Sequence, residues 1–204
     1  MGACAGGFSR GSGLMLYIGI DPGVNGGIAW MKQKGEELTT EAVKMPDSLK
    51  DLKSLLWNLA ANNRVKSCAL EKVASRPGQG VKSTFTFGRV YGQVEAAVVC
   101  CGIPLERVSA SKWQKSFSLI TPGHVSRTVK KNKHKAAAQE LWPDLKITHA
   151  TADALLICEW WRRWHKQPAL AEPDKNYHTG PSMTKEQIRK RHKRIMKGEY
   201  GKRG

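Results

Sequence analysis

The sequence predicts an α/β fold built on a mixed five-stranded sheet, in which three antiparallel strands are followed by two parallel ones and helices flank the sheet. Two observations favour this class. Three short strand-like segments follow one another near the start of the chain with brief connections, which is typical of an antiparallel meander. After them, apolar segments of strand length alternate with segments of helical periodicity, in the order helix, strand, helix, strand and further helices.

The predicted elements follow in chain order. The first two strands, 14–21 and 26–32, flank a turn that contains Pro22 and Gly23, and a third candidate lies at 41–45. Ser48 and Asp51 form a capping-box-like start for a helix whose leucines recur at helical spacing. The remaining predicted elements are a strand at 67–73, a helix at 83–101, a strand at 103–110, a Lys-rich helix at about 131–142 and a final helix at about 149–165.

The helix predicted at 83–101 has two distinct sides. Its apolar stripe consists of Val90, Val94, Ala97, Val98 and Cys101. A second side carries the small residues Gly88, Gly92 and Ala96, spaced four apart. Small residues permit the close approach of another backbone. We favour close packing of this side on the sheet over a subunit interface.

Composition favours a nucleic-acid partner. The 204 residues carry a formal net charge of +17 at a sequence pI of about 9.9, and such an excess of positive charge is typical of proteins that bind polyanions. With 40% hydrophobic residues, the chain is long enough for one domain with a real core. We expect a disordered leader at 1–14, one folded domain at 15–165 and a basic C-terminal tail at 166–204.

Three features of the sequence bear on where the protein resides. No apolar run approaches the roughly 20 residues of a membrane span, and residues 1–14 lack the apolar segment of a signal peptide. Five cysteines without a CxxC pair favour reduced thiols over a disulfide framework or a zinc site. We therefore expect an intracellular, cytoplasmic protein.

Three acidic residues lie where burial is expected. Asp21 ends the first strand, Glu71 lies near the end of the strand at 67–73, and Asp153 lies in the first turns of the last helix. If the two strands are neighbours, the three side chains converge, and their repulsion raises their pKa values unless a cation neutralises them. Hard oxygen ligands favour Mg²⁺ or Mn²⁺. Two such ions about 4 Å apart activate a water and stabilise the leaving oxygen in phosphodiester cleavage.

A histidine near the last of these carboxylates has two open interpretations. His149 lies four residues before Asp153 and therefore on the same helical face. It is either a helix cap or surface residue, or a ligand or proton carrier of the site.

Three motifs occur in a fixed order: "IGIDPGVNGGIA", "LEKV" followed by "PGQGV", and "HATADALLIC". With these motifs, over about residues 15–165, the sequence resembles the RuvC-type Holliday-junction resolvases, which are crossover junction endodeoxyribonucleases of the RNase H-like superfamily, and in detail their phage and prophage branch. The resemblance implies an RNase H-like fold, a homodimer, two Mg²⁺ ions per active site and paired symmetrical nicks in four-way DNA junctions.

The resemblance also implies roles for individual residues. Asp21, Glu71 and Asp153 match the acidic residues of the family's first strand, fourth strand and last helix. The fourth position departs from the pattern of many members, which have an acidic residue where this chain has Ala150; His149 better matches relatives with a histidine four residues before the final carboxylate. The predicted catalytic set is therefore these three carboxylates with His149, and the carboxylates are the metal ligands.

By the same resemblance, the segment after Glu71 approaches the centre of the junction, where side chains contact phosphates or wedge between bases. The candidates are Arg76, Gln79, Lys82, Phe85 and Phe87. Clustered lysines are candidate contacts to the DNA backbone: Lys112, Lys115, Lys130, Lys131, Lys133 and Lys135. The alternatives are helix packing for one of the two phenylalanines and a plain surface charge for each lysine. For Trp160, Trp161 and Trp164 we favour core or dimer packing over base stacking.

The favoured function is that of a metal-dependent, structure-selective endodeoxyribonuclease acting on branched DNA. A catalytically silent junction-binding protein on the same fold is a second class, which the complete set of three carboxylates disfavours. A third follows from "GIDPGVNGG", which also resembles the first phosphate loop of actin-like ATPases. Those proteins need a second, similar half, for which 204 residues without a visible repeat leave little room.

Overall fold

The computed structural model describes residues 14–62, 64–74, 78, 80–123 and 125–166. The helices and strands in these ranges are β1 (Met15–Asp21), β2 (Gly27–Lys34), β3 (Glu37–Lys44), α1 (Leu49–Asn62), β4 (Arg64–Lys72), α2 (Val81–Cys100), β5 (Leu105–Ser109), α3 (Ala110–Ser116), α4 (Arg127–Leu141) and α5 (His149–Lys166). Almost all of the expected leader and tail lies outside the described residues, so the division of the chain into three parts stays a prediction. None of the described helices is long and apolar enough to cross a membrane.

The five strands form one mixed sheet in the order β3-β2-β1-β4-β5. β1 pairs with β2 and β2 with β3 in antiparallel fashion, as their short connections predict. β4 runs parallel to β1 and β5 runs parallel to β4, and the chain reaches each of them through a helix. These strand directions in this order make an RNase H-like sheet, so the predicted fold class is confirmed.

Strand alternation divides the core into two layers. The side chains of Leu16, Ile18 and Ile20 on β1 pack with α1 and α2, whereas Tyr17 packs with α5. Successive side chains point to opposite faces of a strand, so Asp21 shares the α5 face with Tyr17. On β4 the pattern repeats: Ala69 packs with α5, and Glu71, two residues further on, shares that face. Alternation alone therefore directs both strand carboxylates toward the layer that contains α5.

Helix α5 lies directly on the backbone of the central strands. At Gly19 on β1, an added Cβ would run into the backbone of Ala154 and Cys158, well inside van der Waals contact. At Gly27 on β2, it would run into the backbone of Ala150. Only glycine permits such an approach. These two glycines therefore set the height of α5 above the sheet.

Helix α2 has the predicted apolar stripe, but its small-residue side does not pack as predicted. Val94, Ala97 and Val98 are buried in the core. Gly88 and Gly92 face open space, with no atom within 4 Å of an added Cβ. The expected close packing of this side on the sheet is wrong, because the valine-rich stripe of the helix takes the core-facing position.

The structure adds one short helix in a segment predicted as a polar connection. Helix α3 has seven residues and buries Trp113, and two turns are too few for helical periodicity to show. The largest differences in the boundaries are at the starts of two elements, each four residues earlier than predicted. β3 begins at Glu37 rather than at residue 41, because it is a mostly exposed polar strand without an apolar run. α4 begins at Arg127 rather than at 131, after Ser126, whose Oγ accepts a hydrogen bond from the backbone N–H of Val129 at 3.4 Å.

Candidate active site

Three elements bring the predicted carboxylates to one cleft. β1 and β4 are parallel neighbours with Ile20 opposite Leu70, so Asp21 and Glu71 follow in adjacent positions at the same edge of the sheet. Asp153 reaches the same place from the second turn of α5. All three carboxylates line an open cleft of about 1370 Å³.

Helix α4 contributes two side chains that contact Asp153. The Lys131 ammonium lies 2.6 Å from Oδ2 of Asp153 and 3.6 Å from Oδ2 of Asp21. Nδ1 of His134 lies 2.8 Å from the other oxygen of Asp153, Oδ1. Because Lys131 and His134 are three residues apart on a helix, they share one face. The cleft thus holds a lysine and a histidine beside the carboxylates.

The carboxylates differ in their electrostatics. Burial raises the pKa of Asp21, and the nearby Lys131 ammonium only partly offsets it. Burial and the charges of Asp21 and Asp153 raise the pKa of Glu71 to about 8. Burial also acts to raise the pKa of Asp153, but hydrogen bonds from His134 and Lys131 outweigh it, so that pKa is lowered. One lysine therefore does not neutralise all three carboxylates near neutral pH.

This donor set fits a hard divalent cation. Oδ2 of Asp21 and Oδ2 of Asp153 already face one point of positive charge, the Lys131 ammonium. Carboxylate oxygens are the ligands that Mg²⁺ and Mn²⁺ prefer, and the raised pKa of Glu71 is the response expected of a carboxyl that lacks a sufficient counter-charge. Among the described residues, no three histidine, cysteine, aspartate or glutamate side chains are arranged closely enough to hold a metal ion without some movement.

The wall of the cleft is cationic. The basic side chains that line it are Lys72, Lys82, Arg127, Lys130 and Lys131. The turn after β1 also lines it, through Gly23, Val24, Asn25 and Gly26. An added Cβ at Gly26 would collide with the backbone of Asp21, so the tight turn beside the first carboxylate requires a glycine there.

The structure distributes the other predicted site residues over several places. His149 is exposed and pairs through Nε2 with Oδ1 of Asn132 at 2.8 Å, and it is not among the residues that line the cleft. Of the candidate DNA contacts, the cleft brings together Lys82, Phe87, Lys130 and Lys131. Phe85 points away on α2 with 74% of its surface exposed.

The remaining candidate contacts lie elsewhere. Lys112 and Lys115 are exposed on α3 outside the cleft, and Lys133 and Lys135 lie on α4 outside it. The Lys133 ammonium donates a hydrogen bond to the Ser118 carbonyl at 2.9 Å. Arg76 and Gln79 lie outside the described residues.

Sequence reasoning missed His134 altogether. The signal was present as a Lys131-x-x-His134 spacing inside the Lys-rich helix. However, the sequence of a helix with many basic residues does not show which of its sides faces the core. Arg127 was missed for the same reason. Lys72, which lies on β4, was also missed. For two tryptophans the prediction of core packing is confirmed: Trp160 and Trp161 are buried and stack at 5.8 Å between ring centroids.

No protein-family profile and no curated protein matches the chain. Among solved structures, the chain is similar to Thermus thermophilus RuvC, with 16% identity, 74% of this chain and 97% of that chain covered, and a TM-score of 0.48. It is also similar to T. thermophilus RuvC in complex with Holliday junction substrate (15% identity, 74% and 96% covered, TM-score 0.49) and to the yeast mitochondrial Holliday junction resolvase Ydc2 (14% identity, 93% and 85% covered, TM-score 0.36). At identities of 14–16%, these are similarities of fold.

Proposed function

We propose that the protein is a metal-dependent, structure-selective endodeoxyribonuclease that cuts Holliday junctions and related branched DNA. The observation that carries this proposal is the convergence of Asp21, Glu71 and Asp153 in a cleft with a cationic wall. Two of these carboxylates have raised pKa values, so their convergence costs stability unless a cation binds them. A structural role does not account for that cost, whereas a phosphodiesterase site does.

In this proposal the three carboxylates hold two Mg²⁺ ions, for which Mn²⁺ substitutes. The chemistry that these ions supply when bound is activation of a water molecule and stabilisation of the leaving oxygen. The chain's own cations act on the DNA. Arg127 and Lys130 line the cleft and hold the phosphate backbone. Lys131 contacts Asp153 and lies near Asp21; with metal held by these carboxylates, its ammonium would be free to contact the phosphate that is cut.

The motif resemblance is what favours a branched substrate over linear DNA. Within the cleft, Lys82 and Phe87 lie in the first turns of α2 on the same side as the carboxylates. They offer a phosphate contact and an aromatic surface to a base that is unstacked at a branch point.

A cleavage assay on matched substrates tests this function. A four-way junction and a linear duplex that carries the same sequence as one pair of its arms are incubated with the protein, with Mg²⁺ or with EDTA. We expect two nicks, symmetrically placed in opposing strands, in the junction only and with Mg²⁺ only. Equal cutting of the linear duplex would contradict the structure selectivity.

Measurements of junction binding and of ATP hydrolysis, made beside the cleavage assay, separate the other two functions. Tight junction binding without cleavage at any Mg²⁺ concentration would favour a silent junction-binding protein. ATP hydrolysis without DNA cleavage would favour the actin-like alternative.

We further propose that the protein acts as a homodimer formed through the exposed side of α2. Large apolar side chains are exposed at both ends of this helix: Val81 is 87% exposed, Phe85 74% and Val99 58%. Between them, Gly88 and Gly92 leave the backbone uncovered. A second copy of this helix fits such a thin apolar surface. A two-fold axis through this contact would relate the two clefts by the same symmetry that relates the two opposing strands cut in a four-way junction.

Substitution of Gly92 by a large residue tests the dimer. Because an added Cβ at this position meets nothing within 4 Å, Gly92→Leu leaves the fold of the protomer intact. We expect the wild-type mass by light scattering to be twice the 22.6 kDa of one chain, and the Gly92→Leu variant to shift toward one chain. Ala136→Leu, at an exposed position on α4, is the matched control. A monomeric wild type would contradict the dimer.

A further inference from the structure

The two oxygens of Asp153 have different partners, and both partners come from α4. Lys131 lies 2.6 Å from Oδ2, and Nδ1 of His134 lies 2.8 Å from Oδ1. An ionised carboxylate accepts hydrogen bonds and has no proton to donate. Nδ1 of His134 therefore carries the proton of this hydrogen bond, whether or not Nε2 is protonated as well.

The imidazole of His134 is held firmly in place. His134 is buried, with 7% of its surface exposed. The ring packs in an edge-on contact with the fully buried Trp113, at 5.4 Å between centroids and 75° between planes. A side chain confined in this way has few rotamers available, so the direction of its Nδ1–H bond is fixed by packing.

The two contacts on Asp153 have different accessibility to a ligand. Lys131 is partly exposed, with 25% of its side chain accessible, whereas the His134 and Asp153 side chains are each 9% accessible. A flexible lysine can leave Oδ2 when a stronger cation arrives. The histidine cannot leave Oδ1 without disturbing Trp113.

We propose that His134 is a positioning residue for Asp153: it ties down Oδ1 and thereby turns Oδ2 into the cleft to bind the cation. This inference rests on the proposed metal-dependent function for the identity of that cation. It puts the histidine of the site on α4, next to the carboxylate of α5, and leaves His149 at the surface with Asn132. Histidine donors that orient ligating carboxylates act through metal affinity rather than by touching the substrate.

Metal binding without DNA tests the proposal. Mn²⁺ binding to the full chain is measured by electron paramagnetic resonance for the wild type, His134→Phe, His134→Asn and, as the reference for a lost ligand, Asp153→Asn. Phe keeps a ring against Trp113 and removes the donor, whereas Asn places an amide N–H close to where Nδ1 lies. We expect His134→Phe to raise the Mn²⁺ dissociation constant about 10- to 100-fold, and His134→Asn to recover most of that loss. Thermal melting of each metal-free variant shows that it is folded.

Three outcomes would overturn the proposal. One is a folded His134→Phe variant that binds Mn²⁺ as the wild type does. Another is a folded His134→Asn variant as weak as His134→Phe, because the role would then need the whole imidazole. The third comes from ¹⁵N NMR of the histidines in the metal-free protein: a neutral His134 with its proton on Nε2 and none on Nδ1 contradicts the hydrogen bond.

The NMR measurement also separates this inference from the proposed function. If the wild type binds no Mn²⁺, the metal-dependent function fails. A proton on Nδ1 that loses its hydrogen-bond signature in Asp153→Ala then still supports the positioning of Asp153 by His134, and an unchanged signature overturns it.

Discussion

Asp21→Asn is expected to abolish cleavage of a four-way junction while junction binding is kept or improved. The substitution preserves the shape of the side chain, but it replaces one carboxylate oxygen by an amide NH₂ and removes the charge that holds a divalent cation. Loss of several kcal/mol of metal-assisted stabilisation corresponds to a fall in rate of at least about 10³-fold. We expect binding to be kept, because the substitution removes a negative charge from the cleft that, in the proposed function, accepts a polyanion.

The two effects are measured separately. Single-turnover cleavage with protein in excess and saturating Mg²⁺ gives the rate of the chemical step, and gel-shift titration in EDTA gives junction affinity. The matched control is Asp47→Asn, the same chemical change at an exposed residue that pairs with Lys44 outside the cleft. Cutting by Asp21→Asn at a rate near that of the wild type would refute the assignment of this residue.

Glu71 is expected to make the metal-free protein less stable as the pH rises. In the unfolded chain this carboxyl loses its proton near pH 4.5, whereas in the folded chain burial and the charges of Asp21 and Asp153 keep its pKa at about 8. Between these values the folded state binds more protons than the unfolded state, so the free energy of unfolding falls with increasing pH. At about 1.4 kcal/mol per pKa unit, the total loss by pH 8 is on the order of 4 kcal/mol.

Urea denaturation in EDTA between pH 5 and pH 8.5 measures this effect. Glu71→Gln is expected to flatten the decline and to be the more stable protein at pH 8, whereas Glu140→Gln, a change at an exposed glutamate of α4, should follow the wild type. Added Mg²⁺ should restore stability to the wild type at pH 8 and do less for Glu71→Gln, because a bound ion favours the ionised carboxyl. Parallel pH profiles for the wild type and Glu71→Gln would show that Glu71 is not held protonated by its surroundings.

The fold and the three carboxylates could be predicted because both depend on local patterns. Apolar runs joined by short turns predicted the antiparallel strands, and the helical spacing of apolar residues predicted α1 and α2. A single acidic residue at the end of a buried strand, or among the apolar residues of a buried helix, is visible in the sequence because its neighbours are apolar. Asp21, Glu71 and Asp153 could therefore be singled out before their convergence was seen.

The rest depended on packing between elements that are distant in the chain. The side that α4 turns toward Asp153 determines that His134 lines the cleft. The lysine-rich sequence of α4 gives no sign of that orientation. The orientation of α2 is a second case, since its valine stripe and its glycines at 88 and 92 each offered a plausible inner face. The seven residues of α3 are a third, because Trp113 alone gives no periodicity.

The contact of α5 with Gly19 and Gly27 has a consequence for the design of the site. The backbones of the helix and the strands are in direct contact there. The distance between the Asp21 and Asp153 backbones is therefore fixed by main-chain packing and does not depend on side-chain rotamers. This contact gives the two carboxylates, one on the sheet and one on the helix, a reproducible backbone separation without any rigid side chain between them. A substitution elsewhere around the cleft therefore leaves the separation of these two backbone positions unchanged.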